Sequence, residues 1–96
     1  MTRLTTVGVH FTSTGDVSKR QKLFRVNPDV DAQDTLNTAS DFISTVMDVL
    51  MDAAMGEKPL EGNNAFMVVH TLESAKAALD AVWGKLEEVN DTQPGA

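Results

Sequence analysis

Apolar residues recur at alternating steps of four and three in two ladders, which a break rich in glycine, proline and asparagine separates. The first ladder is Ala32, Leu36, Ala39, Ile43, Val46, Leu50 and Ala53; the second is Ala65, Val68, Leu72, Ala75, Leu79, Val82, Leu86 and Val89. This spacing predicts two long amphipathic helices packed along a seam, over about 31–55 and about 64–90. Asp29 or Asp31 is placed to accept hydrogen bonds from the first free amides of the first helix, with Asp34 adding favourable charge near its positive end. Gly56 suits the left-handed residue that closes a helix, Pro59 prevents continuation, and Gly62-Asn63-Asn64 offers a new start. So short a connection makes the helices antiparallel.

Ahead of the ladders the period changes. Val7, Val9 and Phe11 alternate with Gly8 and His10, the pattern of a half-buried strand, and Leu23-Phe24-Arg25-Val26 reads as a second short strand across the polar stretch 13–21. A lone two-stranded hairpin is marginal in water, so this arm either docks on the helices or stays mobile. The chain divides into a basic arm over 1–28 with a candidate β-hairpin, a helical hairpin domain over 29–90 and a flexible tail over 91–96 that contains Pro94-Gly95.

The helices carry more apolar surface than one neighbour can cover. From 32 to 55, 13 of 24 residues are apolar, and from 65 to 89, 15 of 25, where a core-facing helix needs about three in seven. With Leu36, Ile43 and Leu50 at heptad position a, the surplus includes Phe42, Met47 and Val49 on the first helix; Val69 and Trp83 extend it on the second. A second copy is the simplest cover and gives an antiparallel, two-fold symmetric four-helix bundle. The rival cover is the arm folding back with Val7, Val9, Phe11 and Phe24. Met47, Met51 and Met55 form a ridge that reads first as core filling, with an adaptable surface for a partner as the alternative. Ser74, Ala77, Ala78, Ala81 and Gly84 form a small-residue patch on the back of the second helix. Mid-helix glycine costs about 1 kcal/mol relative to alanine, so close packing is expected over Gly84. The expected interface is Phe42, Met47, Val49, Val69, Trp83 and Gly84.

Charge refines the picture. The chain of 96 residues carries a net charge of −6. Residues 1–28 hold five cations against Asp16, whereas residues 29–96 hold three lysines against thirteen acids. An acidic body repels nucleic acid and membrane surfaces and favours a protein partner or a small ligand. There is no cysteine, hence no disulfide framework or thiolate metal site. No apolar run approaches the roughly 18 residues of a membrane span, and the N-terminus lacks an export-type core. The expectation is a cytoplasmic protein.

Candidate chemistry is sparse. Asp34, Asp41 and Asp48 fall at f and read as a solvated ridge. His70 and Glu73, one turn apart, have the spacing of half a bundle metal site, but such sites draw inward-facing ligands from several helices and His70 is expected to face out. Ser74, one turn from His70, has no evident orienting group or oxyanion loop. No catalytic, cofactor-binding or metal-ligating set is assigned. Lys19-Arg20-Gln21-Lys22 with Phe24 and Arg25 has the composition of a phosphate contact, and reads more simply as a solvated arm drawn to an acidic surface.

Leu23-Phe24-Arg25-Val26-Asn27-Pro28-Asp29-Val30, followed by Thr35-Leu36-Asn37-Thr38-Ala39-Ser40, resembles short pseudomonad proteins classed only as domains of unknown function. The resemblance covers about residues 22–84, leaves residues 1–21 outside, and departs at Thr35, where alanine is usual. It implies a helical hairpin and brings no catalytic residues with it. The reading is therefore a non-enzymatic, homodimeric protein-binding or regulatory module that docks on an unidentified protein. A phage- or mobile-element-type inhibitor is one form of it. The alternative is a nucleic-acid-associated regulator that uses the basic arm.

Overall fold

The computed structural model describes residues 3–13 and 17–92, with elements in the order β1 (Val9–Ser13), a single 3-10 turn (Val17–Lys19), β2 (Lys22–Val26), α1 (Ala32–Ala54) and α2 (Gly62–Thr92). Both predicted helices and the predicted hairpin are present. α2 begins two residues before its expected start and continues past Asn90; Pro94-Gly95 lies outside the described residues.

Local chemistry fixes the ends of α1. The Asp31 carboxylate accepts from the Asp34 amide at 3.2 Å and so caps its first turn. At the other end Gly56 sits at φ 77°. Its amide donates to Ala53 O and the Glu57 amide to Asp52 O, which together satisfy two terminal carbonyls. Pro59 then prevents resumption, and α2 starts beyond residue 61, antiparallel to α1.

The two strands pair antiparallel with Val9 opposite Val26, His10 opposite Arg25 and Phe11 opposite Phe24. Strand alternation places Val9, Phe11, Phe24 and Val26 on one face. Phe11 and Phe24 stack with centroids 5.6 Å apart, and Phe24 reaches the His70 ring of α2 at 5.0 Å. Of the two fates open to the arm, docking is the one observed. The Val7 amide donates to Ala81 O at 3.0 Å, and the Thr12 hydroxyl donates to the Glu73 carboxylate at 2.6 Å. As residue number rises from 7 to 12 the arm passes from Ala81 to Glu73, so it runs antiparallel along the small-residue patch of α2.

Residues 4–7 lie beside the entry to α1. Ala32 N donates to Leu4 O, Thr6 N to Val30 O and Asp29 N to Thr6 O, each at 2.9 Å. Arg3 pairs with Asp31 at 2.6 Å. Pro28 and Asp29 form the turn between, with Asp29 at φ 64°, a combination suited to a type II turn. Left-handed geometry costs an L-residue about 1–2 kcal/mol, and Asp tolerates it better than most. Asp29→Val is accordingly expected to lower stability by about 1–2 kcal/mol in denaturant titration, whereas Asp29→Gly should not lower it.

The core is thin. Among the described residues the buried apolar side chains are Ala32, Ala39, Val46, Val68, Ala75, Ala77, Ala81 and Val82, which are all alanine or valine. The molecule extends 54 × 34 × 20 Å with a radius of gyration of 16.5 Å, where a compact chain of this length has about 12.5 Å.

Candidate functional site

The heptad ladders predict burial at both a and d, and here the structure differs. The d residues Ala39, Val46, Val68, Ala75 and Val82 are buried, while the a residues Leu36, Leu50, Leu72 and Leu79 stay 39–43% exposed. Small d side chains bring α1 and α2 together along that line. At about 100° per residue the a positions of both helices then rotate to the same side. Ile43 from α1 meets Val69, Leu72 and Leu79 from α2 along one apolar groove on that side. Met47 at 62% exposure and Trp83 at 61% widen the apolar face.

α2 therefore has three occupied or open sides. One meets α1, one carries the arm, and the third is this face. Lys76 and Glu73 also line this groove, and Lys76 is paired with Asp80 at 2.8 Å.

The six residues expected at the interface separate. Met47, Val69 and Trp83 lie on the open face. Phe42 instead lines a cleft beneath the hairpin with Phe11, Val26 and Val30. Val49 lines a groove near the helix connection with Leu60 and Met67. Gly84 lies under the chain's own arm: a Cβ built on it would stand 2.7 Å from Val7 Cγ2. The close approach expected over Gly84 is real, and Val7 makes it.

Two other expectations are corrected. Met47, Met51 and Met55 do not fill the core, since all three are exposed. Steps of four drift by about 40° each, which carries Met51 and Met55 progressively off the packed side. His70 does not face freely outward, because the hairpin covers it through Phe24. Its neighbour Glu73 accepts from Thr12, so the His70 and Glu73 pair serves as the hairpin's seat. Among the described residues no group of three or more His, Asp or Glu side chains is placed to hold a metal ion. Asp34, Asp41 and Asp48 are exposed, as a solvated ridge requires.

Thr6 and Thr12 had no signal in the sequence pattern. Thr6 is 1% exposed; its hydroxyl donates to Asn27 O at 2.7 Å and accepts from Val30 N at 3.1 Å, and so clasps the Pro28-Asp29 turn. Thr12 adopts φ 63° inside β1, a rare conformation for a β-branched residue. Both act through partners more than 20 positions away, beyond the reach of periodicity.

The basic residues Lys19, Arg20, Lys22 and Arg25 are all exposed on the hairpin. Lys22 donates to Ser13 Oγ at 2.7 Å. Among the described residues no helix is long and apolar enough to cross a membrane.

Neither the curated proteins nor the solved structures include a match to this chain. A family model does match, over residues 5–85, which takes in β1 as well as the segment whose resemblance was visible in the sequence. The chain belongs to DUF3077, a family of proteins of unknown function.

Proposed function

We propose that this protein is a non-enzymatic protein-binding or regulatory module whose working form is a homodimer, two hairpins packed through their a faces into a four-helix bundle. The observation that carries this reading is the row of partly exposed apolar side chains at the a positions, Leu36, Ile43, Leu50, Leu72 and Leu79, with Trp83 beside them. Fully burying a leucine contributes about 1.5–3 kcal/mol, and in one chain Leu36, Leu50, Leu72 and Leu79 still keep 39–43% of their surface in water. The accessible surface is 7250 Å², against about 5400 Å² for a compact monomer of this mass. A standard interface removes about 800 Å² from each partner, so the excess is ample for one.

The face is suited to self-association by symmetry as well as by area. Its long axis runs along both helices, and a two-fold axis perpendicular to it sets α1 and α2 of one copy against those of the other. Trp83 is its natural anchor, since aromatic residues dominate interface energetics. Two grooves are lined by apolar side chains and by threonines such as Thr45 and Thr71, whose hydroxyls donate to backbone carbonyls, together with Asp52, Lys58 and Asn64 in one and Glu73 and Lys76 in the other. That lining suits the holding of another chain better than the breaking of bonds.

Sedimentation tests the dimer directly. At micromolar concentration the protein should run at about twice the 10.4 kDa of one chain, and Leu72→Asp with Leu79→Asp should return it to a folded monomer. A wild-type monomer across the micromolar range would sink the reading.

A further inference from the structure

We infer that the outer edge of β2 is the docking strip of this module and that it takes an extended acidic segment of a partner protein as a third strand. This deepens the protein-binding reading above and rests on it, since it gives that partner a chemistry and a place. β1 lies against α2, where Val7 and Thr12 tie the arm down at both ends. β2 is the outer strand of a two-stranded sheet, and among the described residues nothing pairs with its far side. Its N–H and C=O groups along that side form a ready template for another strand.

The side chains on this strand select the partner. Lys22, Leu23, Phe24 and Arg25 are all exposed, Leu23 at 63%. Two cations thus flank an apolar centre, with Lys19 and Arg20 just before them. The sequence from β1 through β2, residues 9–26, holds four cations against one acid, Asp16. Such an edge repels a second copy of itself and attracts a strand that alternates acids with apolar residues, because opposite charges across strands are favourable and like charges are not.

The strip is held ready. Thr12 keeps its left-handed backbone through the Glu73 hydrogen bond, and Phe24 rests on His70. A ribbon already fixed on a helix loses little freedom when it binds, which favours affinity. A protein strand is preferred over nucleic acid because it can use the edge's row of main-chain groups. A polyanion would meet four cations on a short ribbon attached to a body of thirteen acids.

The probe is a fluorescent peptide of about eight residues alternating glutamate and valine, long enough to span a strand. A lysine–valine peptide and a short DNA duplex serve as comparisons. In anisotropy titrations at low salt, the glutamate peptide should bind at least about tenfold more tightly than the lysine peptide and weaken as salt rises. Amide resonances that shift should cluster at 22–26. Lys22→Glu with Arg25→Glu should reduce binding at least about tenfold while circular dichroism and sedimentation remain those of the wild type. Unchanged binding by that variant, shifts confined to the helices, or DNA bound more tightly than the peptide would each overturn the inference. Sedimentation of the same samples separates the two readings: a dimer that ignores the peptide overturns the edge alone, and a monomer that binds it at β2 overturns the dimer alone.

Discussion

Gly84→Leu is expected to lower the stability of the protein by about 2–4 kcal/mol, the range of a severe overpacking, and to release the arm from α2. Even the first carbon of the new side chain would stand 2.7 Å from Val7 Cγ2. Val7 cannot simply swing aside, because its amide is bonded to Ala81 O at 3.0 Å and its neighbour Thr6 is buried. The arm must lift, and Phe11, Phe24 and the Thr12 bond to Glu73 are loosened with it. The milder Gly84→Ala sets two effects against each other, since alanine favours the helix by about 1 kcal/mol but still meets Val7. Combining it with Val7→Ala should recover the helix gain, and a double-mutant cycle should show coupling of about 1 kcal/mol between the two positions. Thermal unfolding and hydrogen exchange in β1 measure both effects. Since Gly84 lies beneath the chain's own arm and away from the a face, sedimentation should change little; dissociation of a dimer by Gly84→Leu, with the arm still protected, would mean that a second chain packs there.

The glycine shows how much of the architecture could be read from the sequence. A helix-breaking residue inside an otherwise regular helical pattern, on one line with Ser74, Ala77 and Ala81, marked a close approach without saying by what. The helices, their antiparallel turn at Gly56 and Pro59, and the cap near Asp31 were legible because their causes are local. The unequal burial of a and d was not. A heptad ladder records that both positions are apolar, and it does not record that alanine at Ala32, Ala39 and Ala75 draws the helices together along one line and turns the leucines outward. Of the expected interface, Met47, Val69 and Trp83 share the open face, whereas Phe42 and Val49 fall on the arm and connection sides, a division set by where the hairpin docks. That docking depends on Thr6, Val7 and Thr12, single residues that meet partners far along the chain.

The uneven charge gains meaning from the same docking. Arg3 is drawn to Asp31 at the mouth of α1, so one arm cation answers the acidic body. Lys19, Arg20, Lys22 and Arg25 are carried outward by the hairpin and stay exposed. If the dimer forms through the a faces, both hairpins remain on the flanks. The assembly surface and the basic docking strip are then separate, and substitutions in one should leave the other intact.

Thr6→Val should cost about 2–4 kcal/mol, although it exchanges one methyl-sized group for another and leaves the packing volume unchanged. The hydroxyl is at once a donor to Asn27 O and an acceptor from Val30 N, and the residue around it is 1% exposed. Valine removes both bonds and leaves a carbonyl and an amide facing a methyl group, each with a penalty of about 1–3 kcal/mol where water cannot replace the lost partner. The turn they belong to holds Asp29 in a left-handed conformation and leads into the cap of α1, so the damage spreads to the register of residues 4–7 against 29–32. In a domain of this size 1 kcal/mol moves the melting temperature by about 4–8 °C, which places the expected drop at about 10–25 °C at fixed protein concentration. Thr6→Ser keeps the hydroxyl and should retain most of the stability. If Thr6→Val and Thr6→Ser melt together, the turn closes without this clasp, and the main-chain bonds of residues 4–7 with the Thr12 bond are enough to hold the arm.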